Sequence, residues 1–119
     1  MTGMERLEQQ LVEALRRHLT EGKGVRLPEA GRLLWRAFVD LDATRTMHMA
    51  GPNPITMAEV EAWARMNGYP LAPRHVRIIK ALDAVLIEHV SRKASGGDGG
   101  IKGRSDHALS PKLFDAALG

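Results

Sequence analysis

The sequence predicts an all-α protein: a compact bundle of about four helices, then a Gly-rich tether and a short C-terminal helix. Three observations carry this. Apolar residues recur at three- and four-residue steps over four separate stretches. Glycine or proline punctuates the ends of those stretches. Between residues 94 and 107 five glycines appear with almost no apolar content, too little to offset the entropy of ordering a chain. The chain therefore divides into a helical domain over 1–93, a flexible linker over 94–107 and an amphipathic segment over 108–119.

The first helix is expected from Met4 to about Glu21. Met4, Leu7, Leu11, Leu15 and Leu19 form one narrow stripe, with Glu5, Glu8, Glu13, Arg16 and Arg17 mostly on the other sides. The stripe docks on the domain or forms a seam to a second chain. Gly22-Lys23-Gly24 ends the helix, because glycine accepts the left-handed backbone that terminates one. A second helix begins near Pro28, which suits a first helical turn, and fades around Ala43. Leu33, Leu34, Ala37, Phe38 and Leu41 form its apolar face; Trp35 sits off the centre of that face and is expected to be partly exposed.

Residues 44–55 read as a stiff, partly extended loop, since Pro52 and Pro54 each push the preceding residue out of helical geometry. Met47 and Met49 either tuck under it as core filler, the favoured reading, or present soft apolar surface to a partner. Thr56-Met57-Ala58-Glu59 is a capping box, and Ile55 and Val60 stand at the two positions of a hydrophobic staple. The third helix starts there, turns Val60, Trp63 and Ala64 inward and stops at Gly68. Pro73 opens a fourth helix running to about Arg92. Its broad apolar face, with Val76, Ile79, Leu82, Val85, Leu86 and Val90, makes it the central core element. Beyond the tether, Ser110 suits an N-cap and Pro111 a first helical residue. Leu113, Phe114, Ala117 and Leu118 then share one face. A helix that short is marginal alone and needs a surface, in its own domain or on another protein.

The chain has 119 residues, 44% hydrophobic and 4% aromatic, so one domain with an aliphatic core is the default. It has no cysteine, which excludes disulfides, thiolate metal sites and thiol nucleophiles and fits a reducing cytoplasm. No apolar run reaches the ~18 residues that span a bilayer, and no signal-peptide stretch follows Met1. Residues 1–90 hold 12 Lys/Arg against 11 Asp/Glu, and residues 91–119 hold 5 against 3, so the basic excess sits largely in the tail.

Chemistry is sparse. His18, His48, His75, His89 and His107 form no metal-ligand spacing, and 96–103 lacks the ending of a phosphate loop. Asp40 and Asp42 face different ways on a helix and read as solvated charges. No catalytic residue is assigned, and no metal, cofactor, small-molecule substrate or membrane is expected. The third and fourth helices imitate a helix-turn-helix, with Arg74, Arg77 and Lys80 gathered near the start of the fourth. Against that, the intervening turn holds two prolines and is longer than usual, and the fourth helix is apolar over too much of its circumference to lie in a groove.

The segment Leu33–Leu86 resembles a known family. Leu34-Trp35-Arg36-Ala37-Phe38-Val39-Asp40-Leu41 is followed by Arg45, by Gly51-Pro52-Asn53-Pro54-Ile55-Thr56 and by Glu59-Val60-Glu61-Ala62-Trp63-Ala64-Arg65. Gly68, Leu71-Ala72-Pro73 and Ile79-Lys80-Ala81-Leu82-Asp83 complete it. This is similar to small proteins of phage tail gene clusters of the tail assembly chaperone type. The Gly-Pro-x-Pro-Ile loop leading into a Glu-x-x-Ala-Trp helix is the most specific part. The family commonly follows its later proline with Trp-Glu, where this chain has Arg74-His75. The resemblance implies a non-enzymatic accessory protein of the bacterial host cytoplasm that binds tape-measure or tail-tube protein during assembly. Its alternatives are a structural virion component at a tail or neck joint, or a small DNA-binding protein. A homo-oligomer stays open. Independently of the family, expected exposure nominates Trp35, Met47, Met49, Leu113, Phe114 and Leu118 as partner contacts, with core packing the competing reading for each and the favoured one for the first three.

Overall fold

The computed structural model describes residues 2–95. The expected linker from residue 96 onward, and the C-terminal segment with Leu113, Phe114 and Leu118, lie outside the described residues. Within them the order is α1 (Gly3–Glu21), a 3-10 turn (Glu29–Gly31), α2 (Arg32–Ala43), β1 (Met47–His48), β2 (Gly51–Pro52), α3 (Met57–Asn67) and α4 (Pro73–Ser95).

A capping box starts α1. The Glu5 N–H donates to Thr2 Oγ1 at 3.0 Å, and the Thr2 N–H donates to Glu5 Oε1 at 2.7 Å. Gly22, at φ 72°, ends the helix in the left-handed region that disfavours a Cβ. Leu7, Leu11 and Leu15 are buried, and α1 packs along α4, so its stripe docks on its own domain. The 3-10 turn delays the start of α2 to Arg32. There the chain crosses α1 so closely that a Cβ on Gly31 would stand 2.7 Å from Leu11 Cδ2 and 3.2 Å from Leu7 Cδ1.

Packing on α2 comes from α3, α4 and the 3-10 turn. Its buried arc is therefore wider than one stripe and takes in Leu34, Trp35, Ala37, Phe38, Leu41 and Asp42. The partial exposure expected of Trp35 is corrected here: it is fully buried, because those neighbours close over the flank of the helix.

α4 lies at the centre, against α1 and α2. Ile78, Ile79, Leu82 and Leu86 are each no more than 1% exposed, and burying each stabilises the fold by about 1.5–3 kcal/mol. α3 begins as its sequence dictates. The Glu59 N–H donates to Thr56 Oγ1 at 3.1 Å, and the Thr56 N–H donates to Glu59 Oε1 at 2.8 Å. Ile55 and Val60 are both buried beside this cap, as a staple requires. Trp63 donates its indole N–H to Asp40 at 2.9 Å and so ties α3 to α2.

Candidate partner-binding site

The segment between α2 and α3 is irregular but tied to the body by several hydrogen bonds and ion pairs. Its extended stretches pair as a two-stranded hairpin, Met47 opposite Pro52 and His48 opposite Gly51, leaving Met49 and Ala50 at the tip. Gly51, at φ 140°, takes a backbone conformation that other residues rarely adopt. Below the hairpin the Asn53 N–H donates to Thr46 O at 2.9 Å.

Buried charges hold the base of this hairpin. Arg45 donates through Nε to Asp42 Oδ1 at 2.8 Å and through Nη1 to the Asn53 carbonyl at 2.8 Å. Its Nη2 lies 2.6 Å from Asp83 Oδ1 on α4, a close charge contact off the line of a good hydrogen bond. The other Asp83 oxygen accepts the Ile55 N–H at 2.9 Å, and Lys80 donates to the Ile55 carbonyl at 2.8 Å. Two carboxylates and two cations thus balance. Prolines at 52 and 54 bring no N–H of their own, and the N–H of Ile55 finds its acceptor on α4. The expectation that Asp42 is a solvated charge is corrected: it is 6% exposed and paired with Arg45. Asp40 likewise is only partly exposed and is spent on Trp63.

On this anchored base the tip projects into water. Met49 is fully exposed and Met47 is 38% exposed. The favoured reading of both as core filler is corrected: the hairpin leaves Met49 wholly in water and Met47 partly so. Among the nominated contacts the structure exposes Met47 and Met49, two residues apart on one hairpin. Trp35 stays apart from them inside the core, where it contributes packing.

A second apolar feature escaped the sequence reading. A trough runs between α3 and the start of α4, lined mainly by apolar residues such as Met57, Val60, Tyr69 and Val76, with the charged Glu61 and Arg65 also on its wall. Tyr69 stacks on Trp63 with ring centroids 5.9 Å apart. The available signal was the connector Tyr69-Pro70-Leu71-Ala72-Pro73, which is apolar for a surface turn.

Little here suits catalysis or DNA reading. Among the described residues no group of three His, Asp or Glu side chains could hold a metal ion. His75 accepts the Ala72 N–H at 3.0 Å through Nδ1, so it caps the start of α4. Partial burial, then Arg74, push its pKa below the ordinary histidine value. Arg74, Arg77 and Lys80 are all exposed, but Lys80 donates to the Ile55 carbonyl, and the opposite face of α4 forms the core. No helix of the described residues is long and apolar enough to cross a membrane.

No curated protein and no solved structure matches the chain. The sequence profile of the family described as phage tail assembly chaperone matches residues 9–88. That span runs from the buried stripe of α1 through the hairpin and its charged anchor to the core face of α4. The chain belongs to the phage tail assembly chaperone family.

Proposed function

We propose that this chaperone acts in the host cytoplasm on the tape-measure or tail-tube protein, shielding apolar segments of that protein until it is assembled. The observation that carries this is the methionine tip. Met49 lies fully in water and Met47 beside it is 38% exposed, on a hairpin whose base is fixed by buried charges. Leaving large apolar side chains in water is unfavourable unless a partner covers them. Methionine suits a chaperone surface, since its unbranched, polarizable chain adapts to different apolar shapes. The apolar face of Leu113, Phe114 and Leu118 supplies a second contact, in the manner of a short amphipathic arm.

Co-expression of the chain with candidate tape-measure and tail-tube proteins tests this. The native chain is expected to retain one of them in soluble complex. The variant carrying Met47→Ser and Met49→Ser is expected to retain much less while keeping its helical content. Equal recovery with both chains would contradict the role of the tip.

A further inference from the structure

The trough between α3 and α4 leaves large apolar side chains facing water. Met57 is 62% exposed and Tyr69 39% exposed, and the depression holds about 880 Å³. That space takes a row of side chains, not a whole chain, so its natural occupant is one face of a short helix. Its α3 wall, Met57–Asn67, is 11 residues long, about 16 Å of helix.

We propose that residues 110–118 of this same chain fold back as a helix into that trough and cover it in the resting protein. The lengths agree: nine helical residues span about 13 Å, close to the α3 wall. The chemistry agrees too, because Leu113, Phe114, Ala117 and Leu118 fall on one helical face while Lys112 and Asp115 fall on the other.

Reach decides between this occupant and a second copy. α4 carries the chain to Ser95, and Val76 in the trough lies 19 residues back along the same helix. That is a return of about 28 Å. Residues 96–108 supply 13 residues. A Gly-rich chain of that length spans about 20 Å on average and at most about 43 Å, so it crosses the return distance without full extension. A tether of this kind holds its arm at an effective concentration on the order of millimolar. A second copy competes only when the protein itself reaches such concentrations. This goes beyond the tail-protein reading, because it needs no phage partner. It adds a consequence: a tail protein that takes the arm's apolar face must first draw it from the trough.

The chain has no cysteine, so Ala116→Cys offers a unique site for a nitroxide label on the side of the arm away from its apolar face. In the full-length chain at low micromolar concentration, amide signals of Ala64, Tyr69, Leu71 and Val76 are expected to lose most of their intensity, and those of α1 to keep theirs. Met57→Glu, at an exposed position, leaves the fold intact and is expected to restore the trough signals. Undiminished trough signals in the labelled native arm would overturn the proposal. So would broadening that persists unchanged in Met57→Glu. Broadening seen only when labelled chain is mixed with unlabelled isotope-enriched chain would assign the trough to a second copy and also overturn it. None of these outcomes bears on capture of tail proteins, which the co-expression assay reads separately.

Discussion

Arg45, just past the end of α2, and Asp83, midway along α4, meet at 2.6 Å with their side chains only 2% and 3% exposed. The contact sits inside a neutral set of four charges that grips the backbone of Asn53 and Ile55 from both sides. It converts a proline-containing loop into a fixed platform for the exposed methionines. Removing Arg45 or Asp83 leaves the other's buried charge uncompensated, which is costlier than never having had the pair. Asp83→Ala is therefore expected to lower unfolding stability by about 3–5 kcal/mol, read from urea denaturation. The Arg45→Ala, Asp83→Ala double variant is expected to lose less than the sum of the two single losses. Strict additivity would show that the two side chains do not act together.

Close helix crossing makes a second prediction. Gly31→Ala places a methyl group 2.7 Å from Leu11 Cδ2, so the fully buried Leu11 side chain must shift to admit it. Overpacking of this kind costs about 1–3 kcal/mol. Urea denaturation of Gly31→Ala beside Gly3→Ala checks it, because a Cβ at Gly3 meets nothing within 4 Å. Equal effects at the two positions would contradict the close approach.

The capping box at Thr56 joins the hairpin platform to α3. Thr56→Ala loses the acceptor for the Glu59 N–H, an expected cost of about 1 kcal/mol. Thr56→Ser keeps the hydroxyl and is expected to stay close to the native stability, measured by thermal unfolding.

Stability should also fall with acid through His75. Its folded-state pKa is lowered, by partial burial first and Arg74 second. In addition, Nδ1 must stay unprotonated to accept the Ala72 N–H. The unfolded chain then binds the proton more readily. This contribution to stability is fully present above about pH 6.5 and is lost as pH falls through the lower folded value. His75→Gln is expected to flatten the stability profile over that window, compared by urea unfolding between pH 7.5 and pH 5. An unchanged profile would remove His75 as its source.

Local signals in this sequence proved readable and long-range ones did not. Thr56, Glu59, Ile55 and Val60 announce the start of α3 within six residues, and Gly22 and Gly68 end their helices where glycine is needed. The equivalent cap of α1, Thr2 with Glu5, carries the same spacing in the sequence. Burial is different, because it depends on which elements arrive from elsewhere. Trp35 looked peripheral on a single helix, and only the packing of α3, α4 and the 3-10 turn around α2 seals it. Asp42 and Asp83 gave no hint of burial, since their shared partner Arg45 is assigned by folding alone. Met47 and Met49 read as filler because apolar residues in loops commonly are. A two-residue hairpin turns them outward instead. The binding role follows the same division: the family match identifies a tail assembly chaperone, Met47 and Met49 are nominated by sequence but shown exposed only by the fold, and the trough between α3 and α4 emerges only from the folded shape.

In the proposed function a tail protein is held at the methionine tip. Replacing Met49 with a photo-crosslinking amino acid, in cells that also produce the tape-measure and tail-tube proteins, tests this most directly. Gln10, on the exposed side of α1, is the comparison position. An adduct between position 49 and one of those tail proteins is expected, and little or none from position 10. No adduct at 49, or equal adducts from both positions, would contradict it.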